Sequence, residues 1–422
     1  MRRRMRGFEE LTPLSTAIEK LRQNLRHRIT ERETIRTESS LGRILAEDIR
    51  AKKSIPEFDR SAVDGYAVFA EDTYGATPTN PTSLRVIGTI ETGADPSQLP
   101  EIKRGTAAKI MTGAPIPKGA TAVVMAEHTE EKNGTIEITR QVAPYQNISR
   151  RGEDYQEGEL IAKRGTKIKP WHIAAIIQQE ITTIQVLRRP RIAVITTGEE
   201  LTEPGTAKTP GQIIDTNRPM LKALIMEEGA EPLDLGNTPD EIEEIKKRIE
   251  TGLSLADIVI ITGGTSLGER DLVPEAVNSI GKPGVIIHGL RIRPGKPTGV
   301  GVINGKPVFM LSGFPVSSYI GFKLLVKPCI SMLTGTRDLP PPRIRGRITR
   351  RVAKPAGIRA FVRVRVIDRG GGLIVEPLML TGSGLLSTLT KGNGVLEIPE
   401  MLEGHDEGEE VEVELTQPIE EA

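Results

Sequence analysis

The stretch DIVIITGGTS, residues 257–266, joins an apolar run typical of a buried strand to two glycines and two hydroxyl side chains. Gly263 and Gly264 lack a Cβ, so their backbone N–H groups can approach a phosphate closely, and Ser266 adds a hydroxyl donor. The stretch has neither the Lys-Ser/Thr ending of a Walker loop nor the spacing of GxGxxG. Taken alone, it is compatible with two structures: a phosphate-binding turn, or an ordinary turn between a strand and a helix.

Three other stretches place polar side chains where a predicted strand ends. They are ITTGEEL with Glu200, IRPGKP with Arg293 and Lys296, and LSGFPVSS with Ser317. Cationic side chains and helix N-termini bind phosphate and other oxyanions, whereas carboxylates without nearby cysteine or histidine suit a hard ion such as Mg²⁺. For a single acid such as Asp271 the alternative role is that of a helix cap. Four strand ends with such groups favour one shared binding site.

Two polar turns lie earlier, in a region of short β-type runs. FDRSAVDG contains Asp59, and KIMTGAPIP contains Thr112. Their Pro and Gly residues are typical of turns, and composition alone describes the first as a solvated loop and the second as a hairpin. The five histidines are scattered along the chain, so the sequence predicts neither a histidine metal site nor a Ser-His-Asp arrangement.

Strands and helices alternate from Arg191 onwards, which puts the candidate residues on a common scaffold. Apolar runs such as RIAVITT and DIVIITGG alternate with helical patterns such as PDEIEEIKKRIETGL. This alternation predicts a parallel sheet with helices on both faces. In such sheets ligands bind beyond the carboxyl ends of the strands, which is where the polar groups lie in the sequence.

The rest of the chain predicts helical and β regions around that sheet. Apolar residues at helical spacing predict a helix over residues 13–27, and a second short helix is expected over residues 41–48. Short β runs separated by Gly and Pro follow in residues 54–150. After the Pro-rich linker at residues 339–342, alternating strands predict a small all-β sandwich or barrel.

Composition limits the classes of function. The 422 residues are enough for about three domains. Because 57 Lys and Arg residues nearly balance 56 Asp and Glu residues, no global field attracts nucleic acid or an anionic membrane. The single cysteine, Cys329, excludes an intrachain disulfide and a cysteine zinc cluster, which favours a cytoplasmic location. No uncharged apolar run approaches about 18 residues, so no membrane span is expected, and 3% aromatic content argues against single-stranded nucleic acid.

Eight motifs occur in the order found in the MoeA family, the molybdopterin molybdenumtransferases that include the E domain of gephyrin: FDRSAVDGYAV, IMTGAPIP, RRGEDY, ITTGEEL, DTN, GGTSLGERD, RPGKP and SGFPVS. The resemblance extends from Leu11 to Pro418. It implies a multidomain fold with α/β and all-β parts. The implied parts are a helical and strand connector domain at 1–50 and 150–187, a mostly β domain at 51–149, a MogA-like parallel α/β domain at 188–337 and a C-terminal β-barrel domain at 338–422.

The resemblance also implies an activity and an assembly. Members of the family insert molybdate into adenylylated molybdopterin, hydrolyse the adenylate in the presence of Mg²⁺ and release AMP. They are homodimers, and the active site lies between the α/β domain of one subunit and the β domain of the other. Neither nucleic acid nor a membrane is implied as a partner.

Position by position, the resemblance assigns roles to residues of this chain. Glu200, Asp240 and Asp271 resemble the acids of the catalytic cleft, with Glu200 and Asp271 as metal ligands. Asp59 and Thr112 resemble the contribution of the opposing subunit. The residues that resemble contacts to the pterin phosphate, the nucleotide or another anion are Gly263, Gly264, Ser266, Arg293, Lys296, Ser317, Arg359 and Ser383.

Two positions differ from the common family pattern. Gly289 stands where many members have a lysine, and Arg291 and Arg293 carry charge nearby in a different geometry. Ser312 stands where the proline of a Leu-Pro-Gly sequence is common. Tungstate is therefore an alternative to molybdate. Two other functions stay open: a molybdopterin adenylyltransferase, which the α/β part alone resembles, and a non-catalytic molybdopterin-binding scaffold dimer.

Overall fold

The N-terminal segment begins with an amphipathic helix and two short strands, α1 (Leu14–Asn24), β1 (Arg32–Arg36) and β2 (Ile49–Arg50). The structure is a computed structural model, and it describes residues 10–206, 208–264, 272–336, 340–379 and 382–421. The buried face of α1 consists of Leu14, Ala17 and Leu21, as the helical spacing predicts. The prediction of a helix over residues 41–48 is wrong. Gly42 has a φ of 74°, and Leu45 forms a β-bridge with Val186.

A β region follows, with the strands β3 (Arg60–Ser61), β4 (Gly65–Val68), β5 (Thr82–Ile90), β6 (Thr106–Ile110), β7 (Ala122–Met125), β8 (Thr129–Lys132) and β9 (Thr135–Ile138). Six of these strands form one sheet in the order β7–β4–β6–β5–β9–β8. Successive residues of β4 point to opposite faces, so that Tyr66 and Val68 join one apolar cluster and Ala67 joins another. The segments before β3 and after β6, which contain Asp59 and Thr112, are therefore attached to a packed sheet.

The chain then returns to the N-terminal segment through β10 (Ile148–Ser149), β11 (Leu160–Ala162), α2 (Pro170–Gln178) and β12 (Thr183–Leu187). β12 pairs antiparallel with β1, and β11 pairs antiparallel with β2. Buried residues from both segments, including Leu45, Ile49, Ile168 and Ile176, share one apolar cluster. Two stretches separated by about a hundred residues of sequence thus form one structural unit. Short 3₁₀ turns occur at Thr37–Ser39, Ala70–Thr73, Pro96–Gln98 and Ala126–His128.

A sheet covered by helices on both faces forms the centre of the molecule. Its region contains β13 (Arg191–Thr197), β14 (Leu201–Thr202), β15 (Ile213–Ile214), α3 (Asn217–Glu227), β16 (Glu231–Thr238), α4 (Ile242–Leu255), β17 (Ile258–Thr262), α5 (Leu272–Ile280), β18 (Pro283–His288), β19 (Ile292–Arg293), β20 (Gly299–Ile303) and β21 (Lys306–Leu311). The strand order is β16–β13–β17–β21–β20–β18. The four strands β16, β13, β17 and β21 are parallel, as predicted.

β20 is the antiparallel member of that sheet, and it pairs with both β18 and β21. Asn304 and Gly305 join β20 to β21, and both have a positive φ, as type I′ hairpin turns require. The parallel strands β13, β17 and β21 are buried along nearly their whole length because both faces are covered, whereas the edge strand β16 is partly exposed. In β13, Ile192 and Val194 pack on one side of the sheet, and Ala193 packs on the other.

A long helix leads from the sheet to the last domain. It consists of α6 (Pro315–Gly321), a π-helical segment (Phe322–Val326) and α7 (Lys327–Thr334). Among the described residues it is the one helix whose length and hydropathy match a membrane span. Most of it is buried, and Phe322 and Leu325 belong to the same apolar cluster as the central sheet.

The C-terminal domain is a small barrel, so of the two predicted alternatives the structure has the barrel and not the sandwich. Its elements are β22 (Arg343–Ile348), β23 (Val352–Ala353), β24 (Arg359–Asp368), β25 (Leu373–Met379), α8 (Ser387–Thr390), β26 (Gly394–Ile398), β27 (Gly404–His405), β28 (Glu410–Leu415) and β29 (Glu420–Glu421). The ladder β24–β25–β22–β28–β26 closes because β26 also pairs with β24. Val362 and Val364 face the barrel core, whereas Phe361 packs with the central sheet.

Candidate active site

A cleft of about 1230 Å³ lies where the carboxyl ends of β13, β17 and β21 approach the barrel. The structure thus brings the four predicted stretches together at one cleft. Those after β13, β17 and β21 lie at the carboxyl edge of the central sheet, as expected for parallel α/β folds, whereas β19, which precedes the RPGKP turn, pairs with β24 of the barrel. The sequence-predicted residues that line the cleft are Glu200, Asp240, Gly263, Gly264, Arg293, Lys296, Ser317 and Ser383. Ser266 and Asp271 lie outside the described residues.

The two glycines after β17 allow the strand ends to approach one another. Gly263 has a φ of 96°, and a Cβ at this position would lie 2.1 Å from the carbonyl oxygen of Thr197. Gly264 has a φ of 60°, and its Cβ would lie 2.8 Å from Val273 Cγ2. Glycine is therefore required at both positions for conformational and steric reasons, and the floor of the cleft is exposed backbone.

The acidic side of the cleft contains two exposed carboxylates, Glu200 and Asp240. Glu200 lies over Gly198, where a Cβ would come within 2.7 Å of its Oε2 atom. Asp240 accepts a hydrogen bond from the hydroxyl of Thr197, the last residue of β13. Within the described ranges, no group of three or more His, Cys, Asp or Glu side chains is arranged to hold a metal ion.

The basic side is the turn between β19 and β20. Arg293 and Lys296 are exposed in this turn, and the Leu290 N–H donates a 2.9 Å hydrogen bond to the Lys296 carbonyl oxygen. Gly295 has a φ of 105°, and its Cβ would lie 3.6 Å from the carbonyl oxygen of Ser317. The turn therefore packs against the start of α6, and it places two cations at the edge of the cleft.

Arg363 is a residue of this cleft that sequence reasoning missed. Its side chain lines the cleft but is only 2% exposed. It donates hydrogen bonds to the hydroxyl of Thr388 at 3.2 Å and to the carbonyl oxygen of Phe361 at 3.0 Å. Both acceptors are neutral, and no carboxylate of the described residues lies within 4 Å. Burial lowers the pKa of Arg363, because desolvation disfavours an uncompensated charge.

The DTN motif at the start of α3 provides two further residues that were not predicted as site residues. Asp215, which is buried, accepts a 2.9 Å hydrogen bond from the Thr196 hydroxyl. Asn217 Nδ2 donates a 2.8 Å hydrogen bond to the carbonyl oxygen of Gly313. Its Oδ1 atom is buried and has no hydrogen-bond partner in the described part of the chain. Both residues line the cleft. Their occurrence in the DTN motif is the sequence feature from which they could have been predicted as site residues.

Three predicted residues do not line the cleft: Asp59 and Thr112 of the β region, and Arg359 of the barrel. Asp59 accepts a 2.8 Å hydrogen bond from the Arg151 N–H. The hydroxyl of Thr112 donates to Asp64 at 2.9 Å. Hydrogen bonds from Thr112, first its backbone N–H and then its hydroxyl, lower the pKa of Asp64. These two residues of the β region lie outside the lining of the cleft, whose described residues belong to the α/β region and the barrel.

Arg359, predicted as an anion contact, does not line this cleft. Its guanidinium forms ion pairs at 3.0 Å with both Glu397 and Glu400. Two carboxylates already compensate its charge, and the neighbouring Ile358, not Arg359, lines the cleft. Arg363, four residues further along β24, is the barrel arginine that borders the cleft.

Comparisons with known proteins cover nearly the whole chain. Residues 12–179 match the MoeA N-terminal region (domain I and II). Residues 193–332 match a domain described as "Probable molybdopterin binding domain", and residues 345–416 match the MoeA C-terminal region (domain IV). The chain is therefore similar to MoeA proteins in all of its parts and in their order.

Full-length relatives and a solved structure agree with these matches. The molybdopterin molybdenumtransferase of Staphylococcus epidermidis is 34% identical, over 97% of each chain. The enzyme of the same name from Bacillus subtilis is 36% identical, over 91% of this chain and 89% of the relative. The crystal structure of the molybdopterin biosynthesis moeA protein from Pyrococcus horikoshii OT3 superposes with a TM-score of 0.83 at 34% identity, over 96% of this chain.

Proposed function

Because the chain belongs to the MoeA family of molybdenum cofactor biosynthesis, we propose that its cleft inserts molybdate or tungstate into adenylylated molybdopterin and releases AMP. The observation that carries this proposal is the arrangement of charge in one cleft. Two exposed carboxylates, Glu200 and Asp240, share the cleft with Arg293, Lys296 and the buried guanidinium of Arg363. A substrate that carries phosphates and reacts with an oxyanion needs both kinds of group.

The acidic side suits a divalent cation. Glu200 and Asp240 supply hard carboxylate oxygens and are exposed to the cleft. The described residues that line the cleft include neither a cysteine nor a histidine. This donor set fits Mg²⁺ better than zinc. We assign Glu200 and Asp271 as ligands, and Asp240 lines the same cleft as Glu200. When bound, the ion neutralises charge that develops on the phosphate as the adenylate is cleaved.

The protein's own groups then have separate tasks. Arg293 and Lys296 bind phosphate at the rim, and the exposed backbone at Gly263 and Gly264 allows close approach of the substrate. Arg363 and Ser383, on the barrel side of the cleft, hold the tetrahedral oxyanion. The Thr197 hydroxyl orients the Asp240 carboxylate through its hydrogen bond to one carboxylate oxygen.

A release assay tests this function. Purified adenylylated molybdopterin is incubated with the protein and Mg²⁺, in parallel with molybdate, with tungstate and with neither. We expect AMP release that depends on one of the oxyanions, and the preferred oxyanion identifies the metal. Tight binding of the substrate without AMP release would instead favour the scaffold function, and AMP transfer from ATP to molybdopterin would favour the adenylyltransferase.

We further propose that the protein acts in the cytoplasm as a homodimer in which the partner subunit completes the cleft. Asp59 and Thr112 do not line the cleft of their own subunit, although the family motifs contain them. Mixing two inactive variants, Asp59→Asn and Glu200→Gln, tests this arrangement. A shared cleft predicts that mixed dimers recover activity, because one of their two clefts is then free of substitutions. Failure of mixed dimers to recover any activity would contradict the shared cleft.

A further inference from the structure

Phe314 is an aromatic side chain exposed in a cleft whose other described lining residues are not aromatic. Its exposed fraction is 58%. Aromatic residues form only 3% of the chain. Phe309, Phe322 and Phe361 are buried in the core, and Phe58, which does not line this cleft, is 39% exposed. Exposure of a phenyl ring to water is unfavourable, so its position in a ligand cleft requires an explanation.

The backbone around Phe314 is fixed by hydrogen bonds on both sides. The Phe314 N–H donates a 3.2 Å bond to the hydroxyl of Ser312, and the Phe314 carbonyl oxygen accepts a 2.9 Å bond from the Ser318 N–H. The preceding carbonyl, of Gly313, accepts the 2.8 Å bond from Asn217 Nδ2. The ring therefore starts from a well-defined backbone position and is not at the tip of a loose loop.

One edge of the ring packs against the barrel loop. A Cβ on Gly384 would lie 3.2 Å from Cδ1 and 3.5 Å from Cε1 of the phenyl ring. Within the described ranges, the ring has neither an aromatic partner nor a cation over its face. The chain thus supports the edge of the ring while no other ring or cation of the described residues occupies its face.

Two other exposed apolar side chains line the same cleft. They are Ile213 of the β14–β15 ladder, 53% exposed, and Leu386 of the barrel, 36% exposed. Together with Phe314 they give apolar surface to a cleft that also contains carboxylates and cations. This combination suits a ligand with a flat, weakly polar ring at one end and anionic groups at the other.

We propose that Phe314 is a specificity-determining residue that stacks on a planar heteroaromatic ring of the substrate. The inference rests on the proposed function, whose substrate contains two such rings, an adenine and a pterin. Adenine is a planar aromatic bicycle and the pterin contains a planar, conjugated pyrimidinone ring, and stacking on an aromatic side chain stabilises such rings in water-exposed sites. Ile213 and Leu386 cover the edges of the bound ring and exclude water.

Calorimetric binding to the full-length protein tests the inference with three probes: AMP, ribose 5-phosphate and molybdopterin. Phe314→Ala is expected to weaken binding of the stacked ring by about 10-fold. Phe314→Tyr keeps the aromatic face and should restore affinity, whereas Phe314→Leu keeps apolar volume only and should not. Tyr74→Ala removes a comparably exposed aromatic ring of the β region and serves as the matched control.

The three probes separate the possible outcomes. Weaker binding of AMP with unchanged binding of ribose 5-phosphate identifies adenine as the stacked ring. Weaker binding of molybdopterin with unchanged AMP identifies the pterin. Two results would overturn the inference alone. One is equal affinity of wild type and Phe314→Ala for all three probes. The other is an equal loss of affinity for AMP and ribose 5-phosphate without a loss of affinity for molybdopterin. Wild-type protein that binds none of the probes would overturn the proposed function and the inference with it.

Discussion

The two ends of strand β17 carry polar groups of opposite character. At its amino end, Asp257 accepts hydrogen bonds from Arg188 at 2.8 and 2.9 Å, from the Arg191 N–H at 2.7 Å and shares one of 2.7 Å with His27. This carboxylate is only 4% exposed, and its charge is compensated by groups of the same chain. At the carboxyl end, the cleft contains Arg363, buried without a carboxylate partner in the described residues.

The difference separates charges that stabilise the fold from charges that serve a ligand. A buried ion pair whose hydrogen bonds are satisfied holds segments together, and removing one partner is strongly destabilising. A buried charge without a counterion lowers stability, and it persists in a protein when something outside the chain compensates it. The amino end of the sheet thus joins the N-terminal segment to the α/β region, whereas the carboxyl end is open to substrate.

The largest expected effect is the loss of turnover in Glu200→Gln. The substitution keeps size and hydrogen bonding but removes the charge that we assign to Mg²⁺ binding. We expect AMP release to fall by at least about 100-fold, while the free energy of unfolding stays within about 0.5 kcal/mol because the side chain is exposed. The matched control is Glu199→Gln, an exposed neighbour outside the cleft lining. Equal losses in the two variants would contradict the assignment.

At the opposite end of the strand, Asp257→Asn should affect stability and not chemistry. It leaves the partly buried Arg188 without its main counterion, so the free energy of unfolding in urea should fall by about 3 kcal/mol. AMP release at a temperature where the variant is folded should be close to that of wild type. Asp406→Asn, which breaks an exposed ion pair with Arg351, should change stability by less than about 1 kcal/mol. A small effect for Asp257→Asn would remove the contrast between the two ends.

Arg363→Met should separate a role in ligand binding from a role in stability, because we expect tungstate binding to weaken while stability does not fall. Tungstate binding, measured by calorimetry, should weaken by about 10-fold as a charge-assisted contact is lost. Stability should stay unchanged or rise by up to about 1 kcal/mol, since an uncompensated buried charge is replaced by an apolar side chain. The control is Arg365→Met on the same strand, whose guanidinium already pairs with Glu376 and Glu420. A destabilised Arg363→Met variant with normal tungstate affinity would assign a structural role to this arginine.

The smallest expected effect is a dependence of stability on pH. Burial alone raises the pKa of Asp257, but hydrogen bonds from Arg188, the Arg191 N–H and His27 outweigh burial and lower it to about 2. A lowered pKa contributes stability above the unfolded-state value near 4, and this contribution is lost as pH falls from about 4 to about 2. Solvent screening reduces the full linkage, so we expect wild type to lose about 1–2 kcal/mol more than Asp257→Asn over that interval.

Urea unfolding at pH 5 and at pH 2.5 measures that difference. The Asp257→Asn variant is the control, because it retains every other carboxylate of the chain. Parallel stability curves for the two proteins would show that the Asp257 cluster does not contribute to acid sensitivity.

Much of the cleft was predictable because its residues follow strands of one parallel sheet. Gly263 and Gly264 end an apolar run, and the direction of a parallel sheet then fixes where they meet Glu200. That rule does not place the turn with Arg293, because β19 pairs with β24 of the barrel and not with the central sheet. The barrel was predictable only as one of two alternatives, because alternation describes the strands but not whether the ladder closes. The antiparallel β20 follows from the Asn304-Gly305 turn, a signal that was present in the sequence.

Arg363 was not predictable for a physical reason. In RAFVRVRV, alternation places Arg359, Arg363 and Arg365 on the same side of β24, where arginines are expected to face water. The structure pairs Arg359 and Arg365 with carboxylates, whereas Arg363 is buried at the cleft between the barrel and the α/β region. That difference depends on elements distant in the sequence, which no local pattern describes.

The most direct test of the central claim is the location of tungsten in a crystal of the protein grown with tungstate and AMP. Anomalous scattering identifies the metal without ambiguity. We expect one strong peak in the cleft, with tungstate oxygens within hydrogen-bonding distance of the Arg363 guanidinium and on the barrel side near Ser383. A peak at another surface, or a cleft that binds AMP but leaves Arg363 without an anion, would contradict the claim that this buried charge serves the substrate.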